Sequence, residues 1–143
     1  VYKNGIKQGE WKTSNQDGMI TKKLNYKSDH FFGKQIYYYG NGKIRLETTY
    51  KEGIYNKDGP SISYYKDGTI SEKGQYENNI KNDLWIEYFE NGNIKKKSFY
   101  NFSDYADSLI IYDNNGNIID WGRRVIKKRG NSTSSRTEYD SKK

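Results

Sequence analysis

His30 is the single histidine of the chain, and there is no cysteine. A Ser-His-Asp arrangement would have to be built on His30 alone, and a thiolate zinc site has no ligands to offer. A histidine in a turn beside Phe31 and Phe32 is read as packing or surface. Carboxylate pairs come closer to usable chemistry: Asp104 with Asp107, and Glu87 with Glu90, have a spacing that general acid–base work could use. Nothing around them marks a cleft, so solvated loop charge is the expected role. The acidic stretch from Asp113 to Asp120, DNNGNIID, has the look of a calcium loop until its frame is checked. An EF-hand needs glycine at the sixth position, where Ile118 stands, and glutamate at the twelfth, where Arg124 stands. No catalytic residue, metal or cofactor is expected.

The elements that carry these residues recur. Turn glycines stand at Gly18, Gly42, Gly68, Gly92 and Gly116, each preceded by Asp or Asn and followed two places later by Ile20, Ile44, Ile70, Ile94 or Ile118. A fixed period of this kind marks a repeat array. Around each turn, apolar residues alternate with a period of two, as strands require. A two-residue Asn-Gly loop in the unit YYYGNGKIRLETTY (Tyr37 to Tyr50) would split Tyr38 and Ile44 between faces. A three-residue loop, Gly40-Asn41-Gly42, pairs them and puts Gly42 in the left-handed position that closes a type I turn with a bulge. The second option is preferred. Further columns are Tyr2, Tyr26, Tyr50, Tyr76 and Tyr100 on the outgoing strands, and Ile36, Ile62, Ile86, Ile110 with Tyr38, Tyr64, Tyr88, Tyr112 on the incoming ones. All are expected to form ladders along one face. The first unit has Lys12 and Ser14 at these places and reads as an atypical end copy.

With 143 residues, 32% hydrophobic content and a mean hydropathy of -1.18, the composition leans toward disorder. The 15 Tyr and 3 Trp argue otherwise, since amphipathic rings suit a thin sheet that is wet on one side. No apolar run approaches the roughly 18 to 20 residues of a membrane-spanning helix. The chain begins with Val1 inside a repeat-like segment, as expected of a fragment or processed form. Its charge of +7 is uneven: residues 122–143 hold eight basic and two acidic side chains, so the rest is nearly neutral.

The unit Y-x-x-G-I…G-x-W/I-x-x-Y-x-x-[ND]-G-x-I resembles the variant MORN repeat of bacterial proteins, a group that includes YwqK-family antitoxins. The likeness covers roughly residues 1–121. It implies an elongated sheet of stacked hairpins, no cofactor, work done by binding in a bacterial cytoplasm or cell envelope, and a toxin as protein partner. Asp83 and Asp107 depart from it, standing where Gly9, Gly33 and Gly59 begin the incoming strand.

The expected architecture is therefore all-β: an up-and-down antiparallel sheet of about five hairpins over 1–121, then a basic, partly disordered tail over 122–143, with disorder from Gly130. Positions that recur in every copy do what every copy needs, and positions that vary are free to make a surface. That reasoning gives Tyr37, Tyr39, Lys43, Arg45, Tyr65, Trp85 and Phe89 as partner-binding residues on the opposite, exposed face, where Tyr, Trp and Arg favour protein recognition. The tail's Arg123, Arg124, Lys127, Lys128 and Arg129 form a second candidate, for an anionic membrane, a nucleic acid or another acidic partner. An architectural or membrane-surface scaffold docked through that tail is the alternative to a protein-binding module. Open sheet edges add edge-to-edge self-association, or capping by the tail, as an expectation.

Overall fold

A computed structural model describes residues 2–52, 56–128 and 135–140. The strands are β1 (Tyr2–Lys3), β2 (Ile6–Lys7), β3 (Gly9–Ser14), β4 (Ile20–Lys27), β5 (His30–Phe31), β6 (Gly33–Tyr38), β7 (Ile44–Tyr50), β8 (Lys57–Tyr64), β9 (Ile70–Glu77), β10 (Ile80–Tyr88), β11 (Ile94–Tyr100), β12 (Ser108–Tyr112), β13 (Ile118–Lys128) and β14 (Ser135–Asp140). All but β1 and β2 join one 12-stranded antiparallel sheet in sequence order, with β5 set on β4 off the main path. The five expected hairpins are β3–β4, β6–β7, β8–β9, β10–β11 and β12–β13.

Each hairpin closes as the three-residue loop predicts. Tyr38 faces Ile44, Gly42 N–H donates to the Tyr39 carbonyl at 3.0 Å, and Gly42 adopts a φ of 81°. The first unit keeps the same register, with Ser14 opposite Ile20. The connections between hairpins use another device. Ser28-Asp29 and Asn78-Asn79 both have positive φ, the requirement of a two-residue turn matched to strand twist. Asp29 and Asn79 then reach back: their side-chain oxygens accept from Lys7 N–H at 2.8 Å and Lys57 N–H at 2.7 Å.

One register detail decides which residues share a face. Tyr38 pairs with Ile44, but Tyr37 pairs with Leu46, so Arg45 is an extra residue in β7. The same jump places Thr21, Ser71, Lys95 and Ile119 as extra residues in the other units. Side chains alternate along a strand, so one extra residue exchanges the faces of everything beyond it. The expectation of Ile and Tyr ladders on a single face is thereby corrected. Ile36, Tyr38 and Ile44 and their equivalents stay together on what we term the isoleucine face, whereas Tyr26, Tyr50, Tyr76 and Tyr100 lie on the other, the tryptophan face.

The core of this single-layer sheet runs along the tryptophan face. Gln35 and Thr48 are directly paired and 0% and 2% exposed; Trp85 and Ser98 are paired and 3% each. Rings cover the row. Tyr2, Trp11, Tyr26, Phe31 and Tyr50 form a chain with centroid separations of 4.9, 6.2, 5.1 and 5.2 Å, and Tyr76 meets Trp85 at 5.0 Å. Such pairs contribute about 0.5–1.5 kcal/mol each beyond the area they bury. On the isoleucine face a cation recurs over the tyrosine column: Lys23 on Tyr38, Lys73 on Tyr88 and Lys97 on Tyr112, at 5.7, 5.6 and 5.6 Å.

Beyond Trp121 the sheet continues. The boundary drawn there falls inside β13, and Ser135–Asp140 pairs along it from Arg123↔Asp140 to Lys128↔Ser135. Within the stretch expected to be disordered from Gly130, these six residues form β14; positions 130–134 and 141–143 lie outside the described residues.

Candidate functional site

The seven residues proposed from copy-to-copy variation do share a face, since alternation from Tyr37 puts Tyr39, Lys43 and Arg45 beside it, and Tyr65, Trp85 and Phe89 follow by equivalence. They do not share a role. Trp85 is buried rather than exposed, and its reason is local. Between the pairs Asn82↔Gln75 and Ile86↔Lys73, the residues Asp83, Leu84 and Trp85 oppose Gly74 alone. Trp85 Nε1–H donates to the Gln75 carbonyl, just before the register is lost, at 3.0 Å. The indole lies over Gly74 so closely that a Cβ there would be 2.2 Å from Cδ2. Trp85 is therefore scaffold.

Tyr39 and Tyr65 are half-buried staples between units. The Tyr39 hydroxyl donates to the Tyr64 carbonyl and the Tyr65 hydroxyl to the Tyr88 carbonyl, both at 2.6 Å. Phe89 occupies the equivalent place in the fourth unit without a hydroxyl, and Lys95 Nζ stands 6.0 Å from its ring. Lys43 Nζ donates to the Asp67 carbonyl of the neighbouring turn. What stays open is Arg45, exposed and 5.8 Å above the Tyr37 ring. Burial raises the Tyr37 hydroxyl above its ordinary pKa, with Tyr26 adding to the shift and Arg45 opposing it.

Sequence reasoning missed a charged cluster on the same face. Glu72 and Glu87 stand directly opposite each other, an arrangement that repels unless compensated. Lys81 pairs with Glu72 at 2.8 Å and Lys96 with Glu87 at 3.0 Å. Lys81 Nζ also lies 3.9 Å from the Trp85 ring and 5.6 Å from Tyr100. A lysine in the connections of the first, third and fourth units, at Lys7, Lys57 and Lys81, was the available signal: Lys7 covers Trp11 and Tyr26, and Lys57 covers Tyr76. On the isoleucine face, Met19, Ile20, Lys23, Tyr38 and Gly42 line a shallow depression between the first two units.

His30, Glu87 and Asp113, weighed for chemistry, each have a structural partner. His30 Nδ1 is 2.6 Å from the Ser28 carbonyl, and Glu87 is held by Lys96. Asp113 closes its own turn, accepting from the backbone of Asn115 and Asn117 at 2.9 and 2.8 Å, and bonds from Asn117 lower its pKa. Among the described residues, no group of three or more His, Asp or Glu could hold a metal ion. Of the basic candidates, Arg123, Arg124, Lys127 and Lys128 are in β13, and Arg129 lies outside the described residues.

The geometry amounts to a repeated scaffold that carries a different pair of side chains at each bulge. At the bulge, the residue on the incoming strand and the extra residue on the outgoing strand are Thr13 and Thr21, Tyr37 and Arg45, Ser63 and Ser71, Glu87 and Lys95, then Ile111 and Ile119. No curated protein matches the chain. A family model described as MORN repeat variant matches residues 7–28, 33–52, 57–78 and 84–101, more than half of the chain.

Proposed function

We propose a function from the premise that this chain belongs to the MORN repeat variant family: it is a non-enzymatic module that binds a partner protein through the tryptophan face. Repeats of this family are in general binding modules. The observation that carries the reading is the row of bulge pairs. One backbone position carries hydroxyls in two copies, a ring with a guanidinium, opposite charges and a pair of isoleucines in the others, while the residues around it hold the array together. Of these pairs, Tyr37 with Arg45 has the composition of a protein hot spot, a ring and a guanidinium in contact. The sharper form of the proposal is toxin neutralisation, in which this face covers a toxin's working surface; the likeness of the repeat to YwqK-family antitoxins supports it.

The test is capture of the product of an adjacent gene by the full chain. Arg45→Glu is expected to weaken capture at least about tenfold while the melting temperature holds. Capture that is indifferent to Arg45→Glu and to Tyr37→Phe overturns the choice of face. Growth that a co-expressed neighbouring toxin arrests equally with and without this chain overturns the neutralising role.

A further inference from the structure

On the isoleucine face, the cross-strand row nearest the connecting turns holds Glu10 with Asn25, Lys34 with Thr49, and Pro60 with Gln75 in the first three units. In the fourth it becomes Leu84 opposite Phe99, and these remain 36% and 44% exposed. The adjoining row continues the apolar surface: Ile86, Lys97, Ile110 and Trp121 stand in successive cross-strand register, with Trp121 40% exposed. The loop joining β11 to β12 adds Phe102 and Tyr105, 55% and 60% exposed. Earlier copies are an internal control. The same pair of positions folds with Glu10–Asn25 and Lys34–Thr49, so the array does not require Leu84 and Phe99, and contiguous apolar surface of this kind marks an interaction site.

We propose that this patch docks an acidic amphipathic helix from a partner protein. The proposal is independent of the reading above, which uses the other face. A sheet with one layer takes its second from whatever packs on it, and a helix is a standard second layer. Spacing fits a helix laid across the strands. Ile86 and Ile110 are separated by one strand, roughly 9.6 Å at about 4.8 Å per strand, close to the ~10.5 Å between helical positions i and i+7. Charge fits an acidic one. Lys73 and Lys97 lie on this face over Tyr88 and Tyr112, and neither joins an ion pair among the described residues. The paired carboxylates Glu72 and Glu87 are on the opposite face, leaving these cations to meet a partner's.

The experiment uses the full chain and a labelled peptide of about 20 residues with leucine at i, i+3/i+4 and i+7 and glutamate elsewhere, against a control with lysine for glutamate. The glutamate peptide is expected to bind at least about tenfold more tightly, with an affinity that falls as salt rises. Leu84→Lys with Phe99→Thr rebuilds the Lys34–Thr49 pair of the second unit and should weaken that binding at least about tenfold with the fold intact by circular dichroism. Lys97→Glu serves as a second variant and should shift preference toward the lysine peptide. Tyr37→Ala with Arg45→Ala should leave peptide binding unchanged, which separates this site from the one on the tryptophan face. Equal binding of both peptides, or no effect of the double variant, overturns the proposal. So does binding to phosphatidylglycerol vesicles in place of the peptide, or a concentration-dependent dimer abolished by the double variant, which would assign the patch to a lipid surface or to a second copy.

Discussion

The second and fourth units meet the same structural gap with different side chains. In the second, Gln35 accepts from Asn25 N–H at 2.8 Å and donates to the Asn25 carbonyl at 3.0 Å. In the fourth, the equivalent residue is Trp85, whose indole donates to the carbonyl of Gln75, the counterpart of Asn25. Both side chains bond the backbone of the neighbouring strand where the incoming strand departs from it: β4 and β6 pair only at Lys22 and Lys23, and β9 and β10 lose register between Asn82 and Ile86. The position is constrained by what must be satisfied, not by which residue does it. Variation between copies at such a place records alternative solutions rather than freedom.

The comparison breaks first at Trp85. Trp85→Ala removes a buried ring and its hydrogen bond to the Gln75 carbonyl, so a loss of about 3–5 kcal/mol is expected in denaturant unfolding; a loss below about 1 kcal/mol would return Trp85 to the surface. Gln35→Ala should follow at about 1–3 kcal/mol, because it strands the Asn25 N–H while the Asn25 carbonyl keeps the Phe32 N–H at 3.0 Å. If Gln35 only filled space, its cost would be that of an exposed polar residue.

Next come the staples. Tyr39→Phe and Tyr65→Phe each give up one hydrogen bond, about 0.5–1.5 kcal/mol, and the fourth unit already carries this substitution as Phe89. Thermal unfolding of the double variant should therefore show a modest, additive shift. Asp83 takes the left-handed φ of 59° that Gly9 and Gly33 adopt at the same place. Asp83→Gly relieves about 1 kcal/mol of backbone cost, partly offset by loss of the Gln75 hydrogen bond, so a small net gain in melting temperature is the expected sign.

The alkaline limb tests the ring-covered row. Burial raises the hydroxyls of Tyr50 and Tyr76 above their ordinary pKa, so the folded chain holds these protons more tightly than the unfolded one. The associated stability is fully present below about pH 10 and is lost as pH rises through the folded values. Tyr76→Phe should flatten that decline, as read by urea titrations at pH 9 and pH 11.

Periodicity made the hairpins, their five turns and the Tyr38–Ile44 pairing legible, because turn glycine and strand alternation are local and repeat. The face of Tyr50 was not legible. It depends on one extra residue, Arg45, and nothing in the alternation Ile44, Leu46, Tyr50 distinguishes an even strand from a bulged one. Trp85 was misplaced for a related reason: its burial follows from Gly74 across the sheet, a contact between units that no single unit displays. β14 escaped because Ser135–Asp140 is polar and pairs through its backbone along the edge of β13. The surface set from Tyr37 to Phe89 reduces to its least encumbered members, Tyr37 and Arg45.

The central claim is that positions shared by every copy hold the sheet while the bulge pair recognises a partner. Its most direct test is calorimetric titration of a captured partner into the parent chain and Arg45→Glu, beside thermal unfolding of both. Affinity is predicted to fall at least about tenfold with stability changed by no more than about 0.5 kcal/mol, as for an exposed site. Unchanged affinity, or a loss that appears only together with a collapse of stability, would contradict it.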